Sequence, residues 1–258
     1  IKRDHYVSFH TTKALHLGTY ETAIENMLRR MHDEHDGGSQ FYLYRVAIQL
    51  QPGRINPGYR DENHDEAAQL SISDLDSDDL DAVRYLNVHE GTGVLSLAIR
   101  PETIDAVQRI AIPSHDLALP LIPHLLDRDF KDLAQAKSEM EAAQAKVESI
   151  PHARRKMMYF GVYDDPGGLS KKAGDLEHRY IDLWNQLECR LAENYLPGVS
   201  PSIQRDFNQA MASWKSANPT VDPEGFASRY RSMAALLERS GDVIGQVSRQ
   251  PWRDLRAS

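Results

Sequence analysis

Three groups of side chains stand out as able to do chemistry together. His10 closes the short apolar run "YVSF" and is followed by Thr11 and Thr12. Tyr42 and Tyr44 lie two apart in "QFYLYRVAIQL". Glu90 precedes Gly91 in "RYLNVHEGTGVLSLAIRPETI". Each has two readings. A histidine where a strand meets a loop is packing filler or a ligand contact. Two tyrosines on one side of a strand are core, or a face on which a ring stacks. A glutamate beside glycine is a turn residue or a catalytic acid.

Other chemistries leave no signature. The chain has 11 histidines but no HExxH, and its single cysteine, Cys189, excludes an intrachain disulfide and a thiolate metal cluster. His32 and His35 share a helix face, but at its polar end, where a solvated surface is the expectation. "DENHDE" at 61–66 lacks the glycine and register of a calcium loop. No metal is therefore expected. GxSxG, GxGxxG and the phosphate loop do not occur. Cys189, inside a helical pattern, reads as structural. "DDPGGLSKKAGD" at 164–175 reads as a flexible connection after the basic strip "HARRKMMYF".

The elements that must position these residues follow from periodicity. "YVSF" reads as a strand, followed by a loop. "TYETAIENMLRRMHDEH" reads as a helix with Tyr20, Ala23, Ile24, Met27, Leu28 and Met31 on its buried face, Thr19 as N-cap and "DGG" as stop. "QFYLYRVAIQL" is the clearest strand, with "VLSLAIRP" and "VQRIAIP" as two more joined by a short turn. "DENHDEAAQLSISDLDSDDLDAVRYL" is acidic and is expected to hold short helices. Three prolines in "IPSHDLALPLIPHLLDRD" mark a joint. Beyond it come four helical patterns, of which the first, 129–150, has a thin apolar stripe. In the second, Leu176, Tyr180, Leu183, Leu187 and Leu191 share a face with Trp184 beside it. The expectation is an α+β fold: a mixed-sheet domain over 1–113, a linker over 114–128 and an all-helical bundle over 129–258.

Composition is that of an ordinary globular chain, 41% apolar and 26% charged. No apolar run approaches the roughly 20 residues of a membrane span, so a soluble protein, cytoplasmic or delivered as an effector, is expected. The net charge of −8 disfavours nonspecific nucleic-acid binding. A protein target or partner is expected instead. The first residue is Ile1 rather than methionine, which suggests a preceding tag, signal or larger parent.

The order of His10, Tyr42/Tyr44 and Glu90 resembles the ADP-ribosyltransferase fold of the His–Tyr–Glu class over about residues 5–113. "FHTT" looks like the family's opening, and "YLNVHEGTGVLSLAIRPETI" like the late segment of its phage- and toxin-associated members. The resemblance implies NAD as co-substrate and transfer of ADP-ribose or hydrolysis of NAD, with no metal. His10 would hold the ribose, with Thr11 and Thr12 as further cofactor contacts. Tyr42 or Tyr44 would stack on the nicotinamide. Glu90 would stabilise the oxocarbenium-like transition state, where a carboxylate counts most in a dry pocket. Val88 stands where arginine-modifying members carry a carboxylate or amide. The alternative is a non-catalytic interaction or structural module of the same fold.

Overall fold

The computed structural model describes residues 12–34, 36–64, 67–159 and 165–255. "YVSF", His10, Thr11 and His35 lie outside them. The fold is α+β with two sheets and eight helices among the described residues.

Helix α1 (Tyr20–Asp33) forms as its pattern demands. Ile24, Met27, Leu28 and Met31 are buried at three/four spacing. Thr19 caps the first turn by accepting from the Thr22 N–H, satisfying a donor that has no partner inside the helix. Glu21 in the first turn and Arg30 in the last complement the helix dipole.

The segment before α1 is not a loop. Leu15–Leu17 forms strand β1, antiparallel to β5 (Leu95–Ile99). β4 (Ala82–Leu86) pairs with the other side of β5, and β3 (Arg60–Asp61) joins β4 in parallel, giving a mixed sheet of order β1-β5-β4-β3. Register places His16 opposite Ala98, Val83 opposite Ala98, and Tyr85 opposite Ser96. Alternation therefore puts His16, Val83, Tyr85, Ser96 and Ala98 on one face. Val83, Tyr85 and Ala98 pack there with Ala14, Ala67, Leu70 and Leu75. Leu75 comes from the short helix α2 (Ile72–Ser77), closed by a Ser71–Asp74 capping box.

The second sheet is antiparallel. β2 (Phe41–Ile48) runs against β6 (Ile104–Ile112), and β7 (Arg253–Asp254) adds to the far edge of β6. The three long strands read from the sequence are present as β2, β5 and β6.

The remaining helices are α3 (Asp127–Glu148), α4 (His152–Tyr159), α5 (Leu169–Tyr195), α6 (Pro201–Ala217), α7 (Pro223–Glu238) and α8 (Ser240–Ser248). They do not form the one bundle over 129–258 that the pattern suggested. The chain divides into a compact unit of 1–118, 199–219 and 232–258, and another of 119–198 and 220–231. One division between the two units falls at 118/119, among Pro113, Pro120 and Pro123.

Long-range hydrogen bonds explain why the late helices return to the first unit. Ser213 Oγ of α6 donates to the Met31 carbonyl at 2.5 Å. Tyr20 Oη donates to the Leu236 carbonyl at 2.7 Å. The Gln108 amide, buried in β6, donates to the carbonyls of Ser248 and Gln250. A buried amide must find such acceptors, wherever they lie in the chain.

In the second unit α3 packs along α5. Leu133 and Ala136 of α3 are buried, as are Trp184, Leu187, Leu191 and Tyr195 of α5. The Arg190 guanidinium pairs with Asp129 at 3.1 Å, and Trp184 meets Phe226 edge-on at 5.4 Å. Cys189 is exposed on α5, not structural. Within the glycine-rich stretch, Asp165 accepts from the Ser170 and Lys171 N–H groups at the start of α5, so part of the expected loop is helix.

Gly37 is where α6 approaches the end of α1 most closely. An added β-carbon would sit 2.7 Å from the Ser213 carbonyl carbon, whereas Gly53 has open space. Gly37→Ala should destabilise the protein by about 1–3 kcal/mol in urea unfolding, and Gly53→Ala should leave the midpoint essentially unchanged.

Candidate functional site

A cleft of about 1090 Å³ lies within the first unit. Its walls come from β1, α1, β2, β5 and β6. Leu15, Leu17, Leu95 and Leu97 make it largely apolar on one side. Residues with polar side chains along its lining are Thr19, Asn26, Arg30, Tyr42, Tyr44, Arg45 and His16, the ring of His16 alternating to the face of β1 opposite Leu15 and Leu17.

Tyr42 and Tyr44, expected on one side of a strand, both line the cleft, and neither is core: they are 44% and 48% exposed. The Arg109 guanidinium lies 4.7 Å from the Tyr42 ring centroid, a cation–π contact across the sheet. Tyr44 faces Arg109 directly in the register of β2 and β6. Thr12 is exposed, its carbonyl accepting from the Ile72 N–H, and it does not line the cleft.

Glu90 is not a cleft-lining residue. It is 7% exposed and sits in the loop between β4 and β5. Its Oε1 accepts from Asn26 Nδ2 at 3.0 Å, Arg29 Nε at 2.9 Å and Arg29 Nη2 at 2.6 Å. Its Oε2 has no bonding partner among the described residues. Asn26 lines the cleft and so connects it to this carboxylate.

The loop that carries Glu90 is held from both sides. Glu25 of α1 accepts from the Gly91 N–H at 2.8 Å. Glu62 accepts from the N–H groups of Val88 and His89 at 2.5 and 3.2 Å. Asn63 meets the His89 ring at 3.0 Å. Gly91 has a φ of 51°, and a β-carbon there would lie 2.9 Å from Thr22 Cγ2. Both facts favour glycine at this turn.

The residue that sequence reasoning missed is His16. Its Nδ1 is 2.9 Å from Tyr85 Oη, and the rings meet edge-on with centroids 5.6 Å apart. Burial desolvates the imidazole and holds its pKa below the ordinary 6.5, with Lys13 adding to the shift and Glu62 and Glu90 opposing it. Burial pushes the Tyr85 hydroxyl up to about 12, against a hydrogen bond from Ser96 that favours the ionised form, with Glu62 and Glu90 raising it further. Asn87 Nδ2 donates to Ser96 Oγ at 2.8 Å and extends the polar cluster. The signal for His16 was present in "ALHLGTYETA": a histidine between two leucines, directly before a helix cap. A three-residue strand is too short for alternation to reveal it.

Among the described residues no group of histidine, cysteine or acidic side chains is arranged to hold a metal ion, and no helix is long and apolar enough to cross a membrane. No protein-family model matches the chain, and neither a curated protein nor a solved structure is similar to it.

His16 gives a pH test. With its pKa lowered in the fold, it stays neutral just below pH 6.5, where the unfolded chain takes up the proton. Unfolding then takes up a proton, so the stabilising share of the neutral ring is complete above pH 6.5 and is lost as pH falls from 6.5 through the lowered value. The residue's exposure keeps the effect small. His16→Gln should flatten the pH dependence of the urea midpoint just below pH 6.5. A midpoint that varies identically in both proteins contradicts the assignment.

Proposed function

We propose that the first unit binds NAD in this cleft and transfers its ADP-ribose to a protein acceptor or to water, as an ADP-ribosyltransferase-like domain of effector or toxin type. The observation that supports this reading is that β1, the start of α1 and β2 line one cleft, with His16, Thr19, Tyr42 and Tyr44 among its lining residues and the Glu90 carboxylate bonded to cleft-lining Asn26. His10 and Thr11, given the ribose contact by the resemblance, lie outside the described residues. His16 and Thr19 are proposed for that contact on the ground that they line the cleft.

In this reading His16 and Thr19 orient the nicotinamide ribose by hydrogen bonds, and a tyrosine ring confines the nicotinamide. The C1′–N bond breaks with its electron pair going to the nicotinamide nitrogen. Positive charge spreads over C1′ and the ring oxygen of the ribose. Glu90, which does not itself line the cleft, acts on that charge through Asn26, which its Oε1 holds and which does line it. The acceptor nucleophile or water then bonds to C1′ and releases its proton to solvent.

A second reading has an observation of its own. The Arg29 guanidinium, 2.6 Å from Glu90, offsets the negative charge that transition-state stabilisation requires. This favours a non-catalytic module that docks a partner protein through the same fold.

Release of nicotinamide from NAD by the full chain distinguishes them. In the enzymatic reading Glu90→Gln lowers kcat by about 10²–10³-fold, the loss typical of removing one electrostatic contact to the transition state, and His16→Ala raises KM. If the wild-type chain releases no nicotinamide and labels no acceptor, the non-catalytic reading replaces it.

A further inference from the structure

Two arginines line the cleft, Arg30 and Arg45, and their surroundings differ. Arg30 is neutralised by Glu34 and Asp36, each at 3.2 Å. Arg45, exposed on β2, has no carboxylate in ion-pair contact among the described residues. Its contacts are neutral. Nη1 donates to Gln108 Oε1 at 3.2 Å, and the guanidinium carbon lies 5.5 Å from the Trp252 ring centroid.

Those contacts fix the arginine without offsetting its charge. Gln108 is buried, and its Nε2 donates to the carbonyls of Ser248 and Gln250, at 2.9 and 2.5 Å. The amide can satisfy both carbonyls only with its nitrogen toward them, so its oxygen must face Arg45. Gln108 therefore acts as a rigid post that accepts one of the five guanidinium N–H donors and leaves the others available. Trp252 supports the fork from β7's side of the sheet by a cation–π contact. In a chain of net charge −8, this is a local reversal of sign inside a concave site.

We propose that Arg45 is the anion contact of the cleft and receives the diphosphate of a dinucleotide or nucleoside-diphosphate-linked sugar. The proposal rests on the cleft being the NAD site and names the group within it that selects a diphosphate ligand. A guanidinium with its fork free matches two phosphate oxygens at once, which an ammonium does not.

Calorimetric titration of the full chain with ADP-ribose, inorganic pyrophosphate and adenosine tests this. Arg45→Gln should weaken ADP-ribose and pyrophosphate binding by about ten- to a hundredfold and leave adenosine binding unchanged. Arg45→Lys, which keeps the charge and loses the fork, should fall between. Thermal unfolding checks that both variants are folded, as expected for an exposed side chain. Equal ADP-ribose affinity in wild type and Arg45→Gln overturns the proposal, as does failure of the wild type to bind ADP-ribose and pyrophosphate. The two readings separate cleanly. Diphosphate binding through Arg45 without nicotinamide release upholds the anion site and sinks the transferase reading. Nicotinamide release that Arg45→Gln leaves untouched, in both KM and affinity, does the reverse.

Discussion

A carboxylate removed from water must be paired, and the pairing of Glu90 organises the site around it. Arg29 and Asn26 reach it from one face of α1, and Glu25 on the same helix takes the next backbone N–H, that of Gly91. Helix α1 therefore cannot shift relative to the β4–β5 loop without exposing a charge or orphaning a donor. Glu62 holds the same loop from the β3 side through two backbone N–H groups. The four-stranded sheet, the helix and the loop become one rigid piece, with His16 and Tyr85 on the sheet face that runs toward the loop.

The cleft follows from that rigid piece and from the second sheet. Thr19 begins α1 immediately after β1, so the cap, the glycine before it and His16 reach the cleft together. β2 supplies the facing wall. Its exposed Tyr42 is supported by Arg109 of the neighbouring strand, which stands opposite Tyr44 in the β6 register. Arg45 is fixed by a residue of β6, Gln108, which is itself fixed by the chain following α8. The binding wall is thus completed by residues far along the sequence.

That last dependence shows what the sequence could and could not reveal. β2, β5, β6, α1, α3, α5 and α6 are legible because apolar residues recur over two or more periods, which local pattern records. β1 is three residues long and β4 lies at the end of an acidic segment, so neither leaves such a record. The grouping of Tyr42 and Tyr44 on one side was readable from alternation. Their exposure was not, because it depends on what the opposite strand and the late helices leave uncovered. Glu90 was noticed by its neighbours in sequence, but its pairing with Arg29 joins residues 61 apart. The same limit hid the return of α6 and α8 to the first unit, where single donors, half-buried Ser213 and buried Gln108, choose their acceptors.

The account stands or falls on what occupies the cleft. A crystal structure of the full chain with ADP-ribose addresses it most directly. The account predicts density between β1 and β2, with the diphosphate on the Arg45 fork, the terminal ribose within hydrogen-bond reach of His16 or Thr19, and C1′ facing Asn26. ADP-ribose bound elsewhere, or a ribose turned away from His16 with Glu90 still closed by Arg29, would contradict it.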